Sequence, residues 1–209
     1  MKLVRNTLPA TEPITLAEAK AHLKVENTAD DSLIESLIKA CREEAEEYTG
    51  LIFISQVWTL YLNQFPKNED DTWWDGMRTL PIDYYNKSSK IELPKRPLQA
   101  VTHIKTYSDE DVATTISSSD YQVSTYSSPN PKKGIIKLRD GKTWPTFTRN
   151  QDGIEIKFTC GFGASAANVP ENIKQAIKIL VAHKYCNRGD HTMPSQVSSL
   201  LSYYTGIML

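Results

Sequence analysis

The spacing of apolar residues changes twice along this chain, from every three or four positions to every two and back again. Period 3.6 marks a helix with one buried stripe, and period 2 marks a strand with one buried face. A chain ordered helix, strand, helix must let its two helical ends bury each other's stripes around whatever lies between. In the first segment, Thr15-Leu16-Ala17-Glu18 has the form of a capping box, and a short helix is predicted from Leu16 to Leu23. Asp30-Asp31-Ser32 opens a second helix, since carboxylates suit the positive end of the helix dipole. Leu33, Ile34, Leu37, Ile38, Cys41, Ala45 and Tyr48 then recur at helical spacing, and Gly50 supplies a stop.

From about Ile52 the pattern alternates. Val57–Leu62, Lys90–Leu93, Val101–Tyr107, Val112–Ile116, Tyr121–Thr125, Gly134–Leu138 and Gly153–Cys160 read as strands. Turn-forming clusters such as Asp109-Glu110-Asp111 and Ser127-Ser128-Pro129-Asn130-Pro131 separate them. Short strands in succession, with no helix between them, predict an antiparallel sheet or small sandwich. Helix returns after Gly161-Phe162-Gly163, with Pro170 in the first turn and Ile173, Ile177, Leu180 and Val181 in one stripe. A last helix starts near Pro194 and carries Val197, Leu200, Leu201 and Tyr204. The predicted class is α+β: a helical domain built from N- and C-terminal helices with an inserted antiparallel β-sheet domain. The expected boundaries are residues 1–51, 52–163 and 164–209.

Charge narrows the function classes. Lys and Arg total 24 and Asp and Glu 25, a net charge of −1. Tight phosphate binding needs many uncompensated cations, so a dedicated nucleic-acid binder is disfavoured. The first 55 residues hold 6 basic and 10 acidic side chains, which makes that segment −4. No apolar run is long enough to span a bilayer, and the start lacks the form of a secretory signal. Three widely spaced cysteines, Cys41, Cys160 and Cys186, suit a reducing compartment better than a disulfide framework.

Catalytic patterns are thin. His183, Cys186 and His191 have nearly the spacing of zinc ligands, but no CxxC partner accompanies them and Cys160 would have to join from a strand. A thiol nucleophile at Cys160 or Cys186, with His183 or His191 as base, has no supporting motif. Gly161-x-Gly163 is too short for a phosphate loop. Glu43-Glu44 and Glu46-Glu47 read as a solvated helix face, and Glu69-Asp70-Asp71 lacks the alternation of a calcium loop. No catalytic residue, metal site or cofactor is therefore expected. Trp73-Trp74, in an acidic turn-rich loop, reads either as a lid on its own core or as an aromatic anchor for a protein partner. Lys132-Lys133 is a candidate contact with phosphate or a partner.

Three stretches carry a family likeness. They are Pro13-Ile14-Thr15-Leu16-Ala17-Glu18-Ala19-Lys20, Asp30-Asp31-x-Leu33-Ile34-x-x-Leu37-Ile38 through Tyr48-Thr49-Gly50, and Thr159-Cys160-Gly161-Phe162-Gly163 running into Val169-Pro170-Glu171. Together with the helix through Arg188 and the closing Pro194-x-x-Val197-x-x-Leu200-Leu201-x-x-Tyr204, the chain resembles the head–tail connector proteins of long-tailed bacteriophages, which have relatives in prophages and gene-transfer agents. The resemblance covers roughly residues 12–56 and 95–205; residues 66–89, with Trp73-Trp74, have no counterpart. It implies a structural virion protein at the neck, assembled in the host cytoplasm, that forms a homo-oligomeric ring of about twelve copies beneath the portal. It further implies a DNA channel extended towards the tail, with portal and downstream tail-completion protein as partners and duplex DNA passing without specific binding. The apolar Ile207-Met208-Leu209 is then a candidate for docking into the portal. Rival expectations are another neck or tail-terminator ring component and a thiol-dependent enzyme.

Overall fold

The computed structural model describes residues 1–66, 90–125, 133–189 and 192–205. Eight strands and four helices lie among them: β1 (Lys2–Arg5), α1 (Leu16–Leu23), α2 (Asp31–Thr49), β2 (Gln56–Leu62), β3 (Lys90–Glu92), β4 (Leu98–Tyr107), β5 (Ala113–Thr115), β6 (Tyr121–Ser124), β7 (Ile135–Leu138), β8 (Ile154–Cys160), α3 (Glu171–Cys186) and α4 (Ser195–Ser202). All strand pairs are antiparallel, so the class is α+β. The order is β1-β2-β8-β4-β5 in a five-stranded sheet and β3-β7-β6 in a second, three-stranded one.

Local chemistry explains the helix limits. The Thr15 hydroxyl accepts the Glu18 N–H at 3.2 Å, and the Glu18 carboxylate accepts the Thr15 N–H at 2.7 Å, closing the expected capping box of α1. Gly50, at φ +67°, ends α2 in the left-handed conformation that glycine adopts without strain. Pro170 is the N-cap of α3 rather than a residue of its first turn. There its fixed φ and missing N–H cost nothing.

Two apolar cores result. Ile34, Ile38, Cys41 and Ala45 of α2 meet Ile173, Ile177, Leu180 and Val181 of α3 and Val197 and Leu201 of α4. The second core joins Leu60, Ile104, Ile154, Ile156 and Phe158 of the large sheet to Ile91 and Ile136 of the small one. The alternation in β8 is complete: Ile154, Ile156, Phe158 and Cys160 point inward, while Glu155, Lys157 and Thr159 point out.

Two readings of the sequence change. No strand is predicted before the first helix, yet Lys2–Arg5 pairs with β2 from Lys2↔Tyr61 to Arg5↔Trp58. Four residues with a cation at each end have no alternation to display, and the pairing is fixed by the long partner strand. Second, Glu46 does not belong to a solvated face. Counting from Ile38 in helical steps reaches Arg42, Glu46 and Thr49, all buried, whereas Tyr48 from the apolar stripe is exposed. Charge hid the buried face, because Arg42 and Glu46 neutralise each other across one turn.

Candidate assembly surfaces

The helical part and the β part meet where the chain passes from α2 into β2. Glu46 is the hub. One carboxylate oxygen accepts Arg42 Nη1 at 2.8 Å, and the other accepts the Phe53 N–H at 2.8 Å and Gln56 Nε2 at 3.5 Å. Arg42, with 3% of its side chain exposed, also donates Nε to Glu12 at 2.8 Å. Burial pushes the Glu46 carboxyl above its ordinary value, against the pull of Phe53 and Arg42.

Arg96, beside β3, donates to the Thr49 carbonyl at 2.8 Å and so caps the C-terminus of α2. Backbone bonds stitch the same seam: Ile52 N–H to Arg96 O at 2.8 Å, Ser55 N–H to Gly163 O at 2.9 Å and Gly161 N–H to Pro97 O at 2.9 Å. Gly161, at φ +129°, lies so close that an added Cβ would stand 2.8 Å from the Ile54–Ser55 peptide. The Gly161-x-Gly163 pair thus serves a tight crossing of two chain segments, not a phosphate. Helices and sheets are held as one unit by this seam.

Open clefts mark the surface among the described residues. One, about 480 Å³, runs between the α1 cap and α2, past Thr11, Ile14, Glu35 and Ser165. A second, about 330 Å³, lies on the seam and is lined by Glu43, Glu47, Arg5, Lys95 and Trp58. The Trp58 ring there lies 5.0 Å from Lys95 Nζ and 5.9 Å from the Arg5 guanidinium. A third, about 360 Å³, is an apolar groove of Leu33, Leu37, Ala40 and Tyr185 between α2 and α3.

The fourth, about 270 Å³, opens on the outer face of the large sheet between Lys2, Tyr61, Tyr107, Arg149 and Glu155. In it, Glu155 accepts Tyr107 Oη at 2.8 Å and lies 2.7 Å from His103 Nε2. Burial raises the Glu155 carboxyl, but the bonds from His103 and Tyr107 outweigh it and hold it below its ordinary value. Burial and the same carboxylate push the Tyr107 phenol up to about 12. A carboxyl depressed in the folded state stabilises the protein above its unfolded pKa, and that stability is lost as pH falls through the folded one. Glu155→Gln should therefore be less stable at neutral pH and show a flatter fall in urea midpoint on the acid side, below about pH 4.5. Equal acid slopes for the two proteins would remove this role.

The residues singled out in the sequence fare unevenly. Lys133 is exposed just ahead of β7. Trp73, Trp74, Lys132, Ile207, Met208 and Leu209 lie outside the described residues, as does His191. Cys41 and Cys160 are fully buried, and burial pushes the Cys41 thiol up to about 12 and raises Cys160 likewise. Such thiols are poor nucleophiles at neutral pH. Among the described residues no group of three or more His, Cys, Asp and Glu could hold a metal ion, and no helix is long and apolar enough to cross a membrane. What sequence reasoning missed is the Arg42–Glu46–Glu12 seam. The signal was present as an i, i+4 pair of opposite charge in register with Ile38.

Comparison with known proteins places this architecture. Residues 13–139 match the family model described as Phage gp6-like head-tail connector protein. No curated protein matches the chain significantly. Among solved structures, a chain from the neck of an empty gene transfer agent (GTA) particle, computed with C6 symmetry, has TM-score 0.75 at 23% identity. Chains from the virion of a native GTA particle and from a native neck computed with C12 symmetry give 0.74 at 24% and 0.72 at 23%. Each covers 100% of this chain and 98% of its own. The likeness in fold thus extends through α3 and α4, beyond the matched segment, and by that segment the chain belongs to the Phage gp6-like head-tail connector family.

Proposed function

We propose that this protein is a structural subunit of a virion neck, which forms a homo-oligomeric ring beneath the portal and carries the DNA channel on towards the tail. The observation that carries the reading is the full-length likeness in fold to chains from GTA necks, in a chain of the connector family. The sixfold and twelvefold symmetry of those particles supports a ring. Near-zero net charge supports a wall along which duplex DNA slides without being gripped. The portal above and a tail-completion protein below are the neighbours of such a ring. Trp73, Trp74, Lys132, Lys133 and the apolar Ile207-Met208-Leu209 are proposed contacts with them.

Light scattering of the purified chain, alone and mixed with the portal protein of the same particle, tests the reading. The expected result is a closed oligomer in at least one of the two conditions, bound to portal in the mixture. A monomer that ignores the portal in both would overturn it.

A further inference from the structure

The five-stranded sheet ends in two open edges of complementary form. In the order β1-β2-β8-β4-β5 every neighbour is antiparallel, so four reversals leave β1 and β5 running in the same direction. Among the described residues no strand lies beyond either of them. A free edge exposes a row of unpaired peptide groups, and proteins blunt such rows with charges, prolines or bulges. The stretch Val112-Ala113-Thr114-Thr115-Ile116 holds no charge and no proline, and β5 pairs with β4 without a bulge. Val112 is 59% exposed, and Ala113, Thr114 and Thr115 are exposed as well. β5 is an edge left without protection.

Alternation fixes which peptide groups are free. Ile116 N–H bonds the Ile104 carbonyl at 2.8 Å and Ser108 N–H bonds the Val112 carbonyl at 3.0 Å. Val112, Thr114 and Ile116 therefore aim at β4, while Ala113 and Thr115 aim off the sheet. On β1, Asn6 N–H bonds the Val57 carbonyl at 2.8 Å, so Lys2 and Val4 aim at β2 while Leu3 and Arg5 aim off it. The side chains complete the fit. Ala113 and Thr115 pair with Tyr107 and Lys105 on the outer face, whereas Leu3 packs on the β core and Arg5 lies in the Trp58 cleft. In a parallel pair each residue bonds the two neighbours of the residue opposite. Thr115 set opposite Val4 meets the free groups of Leu3 and Arg5, and outer face continues into outer face. An antiparallel junction of the same edges would turn one sheet over.

Charge agrees with that direction. Parallel pairing brings Lys2, at the start of β1, beside Asp109-Glu110-Asp111, just ahead of β5. Lys2 rests over the Tyr61 ring at 5.5 Å and Asp111 holds Arg149 at 3.0 Å, but among the described residues Lys2, Asp109 and Glu110 have no ion pair. Each contact in a closed ring is heterologous and joins two unlike patches of one chain. A rotation about an axis along the strands lays β1 of the next copy beside β5, with strand direction and faces both kept. We infer that β5 of one copy pairs in parallel with β1 of the next, so that the five-stranded sheets join edge to edge around the ring. The inference rests on the ring reading above and names a contact within it.

Thr115→Pro is the first test. The Thr115 N–H takes no part in the pairing with β4, so circular dichroism and a thermal melt close to wild type are expected. Native mass is then measured under the condition in which wild type assembles. The variant should assemble about tenfold less tightly or worse, having lost an edge donor and gained a pyrrolidine ring in the path of the incoming strand. Lys2→Glu and Glu110→Lys, both at exposed positions, are the second test. Each alone should weaken assembly about fivefold per contact, and the two in one chain should restore it, because the opposite charges are exchanged rather than lost. If the proline variant misfolds, the charge exchange decides alone. Normal assembly of a folded Thr115→Pro chain overturns the inference, as does a doubly exchanged chain no better than either single variant. Rings of the proline variant that form normally but release the portal give the edge to that protein instead. A wild-type chain that never assembles removes the ring reading itself, and that result precedes any variant.

Discussion

Glu46→Ala is expected to lower unfolding free energy by about 3–5 kcal/mol, the cost of breaking a buried ion pair from one side. The alanine leaves the Arg42 guanidinium, 3% exposed, with Glu12 and Glu43 but without its best-buried partner. It also strands the Phe53 N–H, whose acceptor is the Glu46 carboxylate at 2.8 Å. For a chain of this size each kcal/mol moves the melting temperature by about 2–4 °C, so a drop of roughly 6–20 °C should appear in a thermal scan. The double variant Arg42→Met with Glu46→Met should regain the part of that loss due to the unpaired guanidinium, because two apolar side chains avoid the desolvation of both charges, while the Phe53 N–H stays unpaired. A single alanine variant melting within about 2 °C of wild type would show that the pair contributes little.

Gly161→Ala should cost nearly as much by a different route. At φ +129° any L side chain is strained by about 1–3 kcal/mol. Its Cβ also lands 2.8 Å from the Ile54–Ser55 peptide, so two hydrogen-bonded backbone segments must separate, at a further cost of about 1–3 kcal/mol. Gly141→Ala is the matched control. It too has positive φ, +75°, but no atom lies within 4 Å of the added Cβ. The gap between the two variants in urea unfolding combines the close approach with the harsher backbone angle at Gly161. Equal losses would mean that the seam at Gly161 yields without cost.

Much of this fold was legible in the sequence because its signals are local. The capping box at Thr15 and Glu18, the glycine stop at Gly50 and the strict alternation of Ile154, Ile156, Phe158 and Cys160 each depend on neighbours a few residues away. What stayed hidden depends on partners far off in the chain. β1 is a strand only because Trp58 to Tyr61 offer it an edge. Arg42 and Glu46 look like surface residues until Glu12, Phe53 and Gln56 close over them. Groupings of exposed residues were less legible still. Lys133 stands out through its doublet with Lys132, but Lys90 comes beside Lys137 only through the pairing of β3 with β7. No spacing rule links positions so far apart.

The strand order has a consequence for how the chain reaches this state. β2 opens the β part and β8 closes it, yet the two are neighbours in the large sheet, paired from Gln56↔Cys160 to Leu62↔Ile154. Newly made α1 and α2 must wait for α3, since residues 50–170 separate α2 from its main packing partner. Once β2 and β8 zip together, the loop that α2 and α3 must close shrinks about sevenfold, which recovers roughly 1.7 kcal/mol of closure entropy. The β part thus acts on the folding path as a clasp, presenting the second half of the helical core to the first. Lengthening a hairpin at the far end of the sheets, such as the turn at Asp109-Glu110-Asp111, would leave that clasp, and the order of events it imposes, untouched.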